Sequence, residues 1–145
     1  MKSLVVYDSA FGNTQKVAEE IAKVLECKAV LVGNFRKSDL KGIELLVIGS
    51  PINGWQPLPT ITNLLNTFES GELKDTRATT FDTRVKLFIH GDAKDKMAAV
   101  LKSAGAEIVA EPEAFYVKGT KGPLLEGELE KATAWAEEIK EKTKE

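Results

Sequence analysis

The stretch 4–21 constrains the fold of this chain more than any other part of it. Its first residues, Leu4–Tyr7, are apolar and rich in β-forming types, which favours a buried strand. A short polar loop, 8–14, leads directly into an amphipathic helix with Val17 and Ile21 on one face. A helix that starts in this way presents free backbone N–H groups and the positive end of its dipole. The stretch therefore predicts a phosphate site.

Neutral donors characterise the loop. Ser9, Asn13 and Thr14 can add side-chain donors to the backbone N–H groups, and no lysine or arginine lies between Asp8 and Gln15. The loop therefore suits a phosphate held without a matching cation. The chain has no dinucleotide motif G-x-G-x-x-G and no Walker motif G-K-[ST]. An ordinary strand–turn–helix, capped by Ser, Thr or Asn, is the alternative interpretation.

The size and charge of the chain exclude several classes of protein. With 145 residues, 43% of them hydrophobic, we expect a single domain, 1–145, with a sizeable core. A net charge of -2 implies no strong field for nucleic acid or a membrane, and no apolar run approaches the roughly 20 residues of a membrane span. The chain enters a strand at once, so no signal peptide is expected. The single cysteine, Cys27, and the lack of a Cys/His cluster favour a reduced, cytoplasmic protein without a metal site.

Strand and helix patterns alternate along the chain. Apolar or β-rich runs predict strands at 2–7, 28–32, 44–49 and 77–81, and a last strand made of 106–110 and 115–117. Helical spacing predicts helices at 13–26, 58–68, 92–104 and 127–142. Pro112 interrupts the last strand, and Gly105 is a stop signal for the third helix. The alternation predicts an α/β fold with about five parallel strands and helices on both faces.

The stretch 4–21 also resembles the flavodoxin signature, in which such a loop binds the 5′-phosphate of FMN. The matching residues are Tyr7, Ser9, Gly12, Thr14, Val17, Ala18 and Ile21. The resemblance spans essentially the whole chain and is similar to the short-chain flavodoxins. It implies a three-layer fold with strand order 2-1-3-4-5 and a ligand site at the carboxyl ends of the strands. Phe11 is a departure, because flavodoxins usually carry a second hydroxyl residue there.

The resemblance implies three FMN-binding loops. The residues it assigns to cofactor binding are, in chain order, Ser9, Ala10, Phe11, Gly12, Asn13, Thr14, Pro51, Ile52, Asn53, Gly54, Trp55, Phe81, Asp82, Thr83, Arg84, Phe88 and Gly91. Trp55 is expected to stack on the flavin ring, the alternative being a core-edge or subunit contact. The Asn53-Gly54 peptide is expected to flip on one-electron reduction, or else to form a turn without a redox role.

The third loop departs most from the family pattern. Asp82 and Arg84 stand at positions where flavodoxins usually have other residues, often glycine, and Phe88 replaces a tyrosine as the cover of the outer flavin face. If Arg84 faces the flavin, its charge should raise the second reduction potential. The alternative is a solvated surface arginine paired with Asp82. The single histidine, His90, is interpreted as a loop or cap residue.

The resemblance implies a monomeric FMN-binding electron carrier that shuttles single electrons between a reductase and an acceptor protein. In that role no residue is catalytic, because the flavin carries the chemistry. One alternative is an FMN-dependent oxidoreductase acting on quinones or protoporphyrinogen. The other is a flavin-free interaction module of the same fold, supported by Phe11 and Asp82.

Overall fold

The computed structural model describes residues 1–87 and 90–144. Its strands are β1 Ser3–Tyr7, β2 Lys28–Leu31, β3 Leu45–Asn53, β4 Gln56–Pro57, β5 Arg77–Val85, β6 Glu107–Ile108 and β7 Glu113–Val117. Its α-helices are α1 Asn13–Leu25, α2 Pro59–Leu65, α3 Lys94–Ser103 and α4 Glu128–Lys142. Two 3₁₀ turns, Val32–Asn34 and Lys37–Leu40, occupy the connection before β3.

The sheet has the order β2-β1-β3-β5, and both β6 and β7 pair with β5. All these pairs are parallel, so the predicted order 2-1-3-4-5 is confirmed, with the fifth strand divided in two. The division lies around Pro112, where a strand break was predicted. The described part of the chain has seven strands instead of five, because β4 also adds a short antiparallel pair to β3.

Side chains of the central strands alternate between two apolar clusters. Val5 and Val47 face α1 and α4, where Ile21 and Ile139 are fully buried. Their neighbours Val6 and Ile48 face the other way, in a cluster with the following side chains of α2 and α3: Ile61, Leu65, Met97 and Leu101. Continuous apolar strands buried on both faces give the predicted three layers, with the carboxyl ends of the strands meeting at one edge.

The predicted end of the fourth strand at Phe81 is wrong. Strand β5 continues to Val85, because β7 pairs with its second half, from Phe81 to Val85. Phe81 is fully buried, and its ring packs edge-on against Phe115 and Trp135 at centroid distances of 5.9 and 6.1 Å. Trp135 is therefore a packing residue, as predicted. The loop at the end of this strand starts after Val85.

Two further boundaries refine the sequence predictions. Helix α2 ends at Leu65, before the predicted Phe68, because the N–H groups of Thr67 and Phe68 donate to carbonyls only three residues back. Helix α3 ends as predicted before Gly105, which adopts a φ of 106°. No helix in the described residues has the length and apolar character needed to cross a bilayer.

Candidate functional site

A cavity of about 90 Å³ opens at the carboxyl edge of the sheet, where β1, β3, β5 and β7 end. The residues lining it are Ser9, Ala10, Phe11, Asn13, Thr14, Pro51, Ile52, Thr83, Arg84, Val85, Val117 and Thr120. The first nine of these were among the predicted site residues. The structure thus brings the first loop, the end of β3 and the end of β5 together.

The loop between β1 and α1 is held by its own side chains. Ser9 Oγ accepts the N–H groups of Gly12 at 3.0 Å and of Gln15 at 3.4 Å, which leaves its own proton free to donate. The Asp8 carboxylate accepts the N–H of Ser9 at 2.8 Å and the hydroxyl of Thr60. The side chains of Asp8 and Ser9 are therefore both fixed in place.

The N-terminus of α1 is open. Gly12 is its N-cap residue, with a φ of 91° and no side chain to cap the helix, and the first turn contains no acidic residue. The only side-chain contact with a first-turn N–H among the described residues is the long one from Gln15 to Ser9 Oγ, at 3.4 Å. The N–H groups of Ala10, Phe11, Asn13 and Thr14 find no hydrogen-bond acceptor among the residues that the structure describes. Unpaired N–H groups at the positive end of a helix dipole are suited to an anion.

A pair of threonine hydroxyls joins this helix to β5. Thr14 Oγ1 lies 2.8 Å from Thr83 Oγ1, and both residues are buried. One proton is used between them, so the other remains available to a ligand. Asn13 is also buried, and its amide packs so closely on Gly122 that a Cβ added there would lie 2.6 Å from Asn13 Oδ1.

Arg84 forms a buried ion pair with Asp82 beside the cavity. Its Nε donates to Asp82 Oδ1 at 2.9 Å and its Nη2 to Oδ2 at 2.5 Å, while the two side chains are 6% and 0% exposed. Burial opposes the charged form of Arg84, but the bonds to Asp82 and the charges of Asp82 and Asp92 outweigh it and raise its pKa. The predicted pairing with Asp82 is confirmed, whereas the alternative of a solvated surface arginine is wrong.

The same carboxylate caps the next helix. Asp82 Oδ2 accepts the N–H groups of Ala93 at 3.3 Å and Lys94 at 3.0 Å, at the start of α3. Asp92 adds a second cap, since its carboxylate accepts the N–H of Lys96 at 3.0 Å and lies 3.5 Å from Arg84 Nη2. The N-terminus of α3 is therefore already satisfied by carboxylates of the chain itself.

His90 borders this ion pair. Its Nδ1 lies 3.0 Å from Arg84 Nη1 and 2.8 Å from the carbonyl oxygen of Gly91. A guanidinium only donates, so the first contact requires Nδ1 without a proton and the second requires Nδ1 with one. The two contacts cannot be hydrogen bonds at the same time. His90 is exposed and lies in the loop before α3, in agreement with its prediction as a loop residue.

The second predicted loop is a tight hairpin. Asn53 pairs with Gln56, which leaves Gly54 and Trp55 as its central residues with φ values of 55° and 73°. Positive φ at both positions corresponds to a type I′ turn, and at Trp55 it is unusual for a non-glycine residue. The turn is centred on Gly54-Trp55, one residue later than the predicted Asn53-Gly54 turn. Trp55 lies at the tip of the hairpin and is 58% exposed.

Contacts with α3 hold this hairpin. The Trp55 carbonyl accepts the N–H of Asp92 at 3.1 Å and the ammonium of Lys96 at 3.2 Å. Gly91 packs on the same residue, since a Cβ added to it would lie 2.2 Å from Trp55 Cα. The hairpin and the start of α3 therefore form one unit.

Several predicted residues lie away from the cavity. Gly12 is the N-cap residue of α1 and does not line the cavity. Phe81 and Asp82 are buried. The other residues belong to the hairpin and to the start of α3 that packs on it: Asn53, Gly54, Trp55 and Gly91. The ring of Phe81 is enclosed by the core, and its assignment to the cofactor site stays a prediction. Phe88 lies outside the described residues.

Three lining residues, Val85, Val117 and Thr120, were not among the predicted site residues. Val85 was hidden by the wrong end of the strand. Val117 ends the last predicted strand, so its position at the carboxyl edge could have been inferred. Thr120, in a Gly/Lys-rich loop, gave no signal. Elsewhere, Cys27 is half-buried, and burial raises the pKa of its thiol to about 11. No metal-binding group of acidic, His or Cys side chains occurs in the described residues.

The fold is shared with solved proteins of low sequence identity. A flavodoxin from the domain Archaea has a TM-score of 0.78 at 20% identity, over 100% of both chains. Flavodoxin 1 from Bacillus cereus has a TM-score of 0.83 at 17% identity, over 97% of this chain and 98% of the other. Rubredoxin oxygen:oxidoreductase from Desulfovibrio gigas has a TM-score of 0.73 at 18% identity, over 99% of this chain but 37% of that protein.

None of the curated proteins matches the chain significantly in sequence. The likenesses to solved structures establish the fold, and the sequence itself establishes the family. The flavodoxin domain model matches residues 4–119, which include β1, the open helix N-terminus and the strands that line the cavity. The chain therefore belongs to the flavodoxin domain family.

Proposed function

We propose that this chain binds FMN and carries single electrons between a reductase and an acceptor protein. The observation that supports this most strongly is the open N-terminus of α1 at the edge of a cavity, in a chain of the flavodoxin domain family. When bound, FMN supplies the electron chemistry, because a flavin can take up and release one or two electrons. The chain itself supplies binding, orientation and the surrounding charge.

The donor set at the cavity fits a phosphate. Four backbone N–H groups from Ala10 to Thr14 have no acceptor within the described residues, and Ser9 and the Thr14–Thr83 pair retain hydroxyl protons. The sequence predicts that neutral donors bind the phosphate. Arg84 adds a cation to the cavity wall that the loop sequence did not reveal, but its charge is offset by Asp82.

The flavin ring requires more room than the cavity offers. A volume of about 90 Å³ corresponds to a phosphate group rather than to a whole flavin nucleotide, since ligand pockets for larger molecules span about 300–1,000 Å³. We propose that Trp55 stacks on the ring, because its side chain is 58% exposed and no described aromatic ring packs against it. The Asn53-Gly54 flip remains a prediction, and the neighbouring Gly54-Trp55 peptide at the centre of the turn is a second candidate.

The visible spectrum tests this proposal directly. The purified chain is mixed with FMN, separated from free flavin, and reduced stepwise without oxygen. We expect retained flavin that reduces in two one-electron steps, seen as a transient long-wavelength band. Reduction in a single two-electron step would instead support the FMN-dependent quinone or protoporphyrinogen oxidoreductase.

A flavin-free interaction module is the second candidate. The small cavity and the 52% exposed Phe11, in place of a hydroxyl residue, favour it. A chain that stays colourless after incubation with FMN, while its circular dichroism shows a folded α/β protein, would support the module and contradict the electron carrier.

A further inference from the structure

Exposed lysines and exposed apolar side chains surround the cavity at the carboxyl edge of the sheet. We propose that this surface, the cavity rim, docks a partner protein that has an acidic face. The cavity rim consists of Lys86, Lys96, Lys118 and Lys121 together with Phe11, Trp55 and Leu87. The inference deepens the proposed electron-carrier function and rests on it, since the partner would approach the bound flavin from this side.

The fold brings these residues together from five segments. Phe11 follows β1, Trp55 lies on the hairpin after β3, and Lys86 and Leu87 follow β5. Lys118 and Lys121 follow β7, and Lys96 belongs to the first turn of α3, where its ammonium reaches the Trp55 carbonyl at 3.2 Å. In a parallel sheet all these positions lie at the same edge.

Four aspartates at this edge have partners within the chain, and one of them, Asp95, pairs with Lys94 at 2.8 Å while its side chain stays 63% exposed. Asp82 is paired with Arg84, Asp92 caps α3 and contacts Arg84, and Asp8 accepts the Ser9 N–H and the Thr60 hydroxyl. None of the four rim lysines forms an ion pair with a carboxylate of the described residues. Their charges are therefore available to a partner.

The opposite edge of the sheet carries charges of both signs. A groove of about 550 Å³ there is lined by four glutamates and two lysines among other residues, namely Glu26, Glu44, Glu137, Glu141, Lys140 and Lys144. The exposed Lys41, Lys74 and Lys102 also lie at that edge. The lysines of the cavity rim, in contrast, stand among apolar side chains, and this local charge favours an acidic partner there.

The apolar members of the rim favour a protein over a polyanion. Phe11, Trp55 and Leu87 are 52%, 58% and 62% exposed, which gives the surface apolar contacts among its cations. Apolar contacts with a charged periphery are typical of protein interfaces.

A paramagnetic anion can map the cationic surface without any flavin. Hexacyanochromate(III), a trianion, is added to the ¹⁵N-labelled chain at low salt, with and without FMN, and the broadening of amide signals is recorded. We expect broadening around Lys86, Lys118 and Lys121 in both samples, lost in 0.5 M NaCl. Broadening confined to Ala10–Thr14, or spread over the amino edge, would overturn the inference. A chain that fails to bind FMN would end the proposed function but would still give this readout.

Charge-matched variants separate the rim from the overall charge. The triple variant K86Q/K118Q/K121Q should lose most of the broadening at the rim, whereas K41Q/K74Q/K102Q, with the same change in charge at exposed positions of the opposite edge, should retain it. With FMN bound and reduced, oxidation by hexacyanoferrate(III) should slow at least threefold on raising the ionic strength from 10 to 200 mM, and this dependence should weaken only in the rim variant. Equal behaviour of the two variants would contradict the inference.

The class of partner is tested with two simple polyanions. A deca-glutamate peptide should shift the amide signals of the rim at lower concentration than the oligonucleotide dT10. Tighter binding of dT10 at the same signals would show that the surface serves nucleic acid and would overturn the assignment to a protein partner.

Discussion

Helices α1 and α3 both start at the carboxyl edge of the sheet, but their N-termini are treated in opposite ways. The first turn of α1 carries no acidic residue, and its N-cap residue, Gly12, has no side chain to cap it. The first turn of α3 receives the carboxylates of Asp82 and Asp92. Because an anion is stabilised at a helix N-terminus, a resident carboxylate competes with a ligand for that position. The comparison shows why the phosphate site is expected at α1 and not at α3.

The largest effect is expected from removing the carboxylate that closes α3. Asp82→Ala leaves the buried Arg84 without its partner and two N–H groups without a cap, so the free energy of unfolding should fall by about 3–5 kcal/mol. Urea unfolding measures it. Asp95→Ala is the control, because Asp95 is also acidic and near the same helix start but is 63% exposed, and it should lose about 0.5 kcal/mol. Equal losses would show that buried Asp82 contributes no more to stability than an exposed carboxylate at the same helix start.

Giving α1 a carboxylate of its own should close the phosphate site. Ala10 is exposed in the loop, so Ala10→Asp should leave the fold intact while its charge repels the phosphate. FMN affinity should fall about tenfold or more, with little change for riboflavin, which lacks the phosphate. Fluorescence titration measures both, and Ala10→Asn is the neutral control of the same size. A similar loss in the Asp and Asn variants would point to shape instead of charge.

The sequence predicted the start of one helix but not that of the other. The open start of α1 was predicted, because strand, loop and helix are contiguous in 4–21. The closed start of α3 was not, since Asp82 lies 11 residues before Ala93 and its carboxylate reaches the helix only through the fold. Arg84 and Asp82 looked like loop residues for the same reason. Their burial in β5 depends on the ion pair between them and on the pairing of β5 with β7. Neither contact leaves a pattern in the local sequence.

The hairpin shows a smaller error of the same kind. Asn53-Gly54 is a common centre for a two-residue turn, yet Gly54-Trp55 occupies that position. The shift places the Trp55 carbonyl within reach of Asp92 and Lys96, and these long-range contacts outweigh the local preference of the sequence. The central strands and the helices on both faces of the sheet, in contrast, follow from local apolar patterns and were predicted.

The charge of Arg84, whose partner Asp82 closes the start of α3, can be tested through the reduction potential of a bound flavin. If it acts on a bound flavin, Arg84→Gln should lower the second reduction potential. Asp82 offsets most of the charge, so a change of about 30 mV is expected, small for a cation so close to the site. Potentials are measured by anaerobic titration of the FMN-bound protein. Arg84→Lys keeps the charge and should shift the potential less, and no shift in either variant would remove the idea.

The smallest effect concerns the departure at Phe11. Its side chain is 52% exposed, so Phe11→Ser costs little stability and offers a hydroxyl at the open helix start. One added hydrogen bond should tighten FMN binding about threefold, again with no change for riboflavin. Phe11→Ala, which removes the ring without adding a hydroxyl, is the control. Equal tightening in both variants would mean that the ring obstructs the site.

The amide signals of the two helix starts distinguish an open α1 from a closed α3. The ¹⁵N-labelled chain, freed of flavin, is titrated with FMN and, separately, with riboflavin. FMN should shift the amide protons of Ala10–Thr14 far more than riboflavin does, while those of Ala93 and Lys94 stay bonded to Asp82 and move little. Shifts of Ala93 and Lys94 that equal those of Ala10–Thr14, or the same response to both flavins, would contradict this distinction.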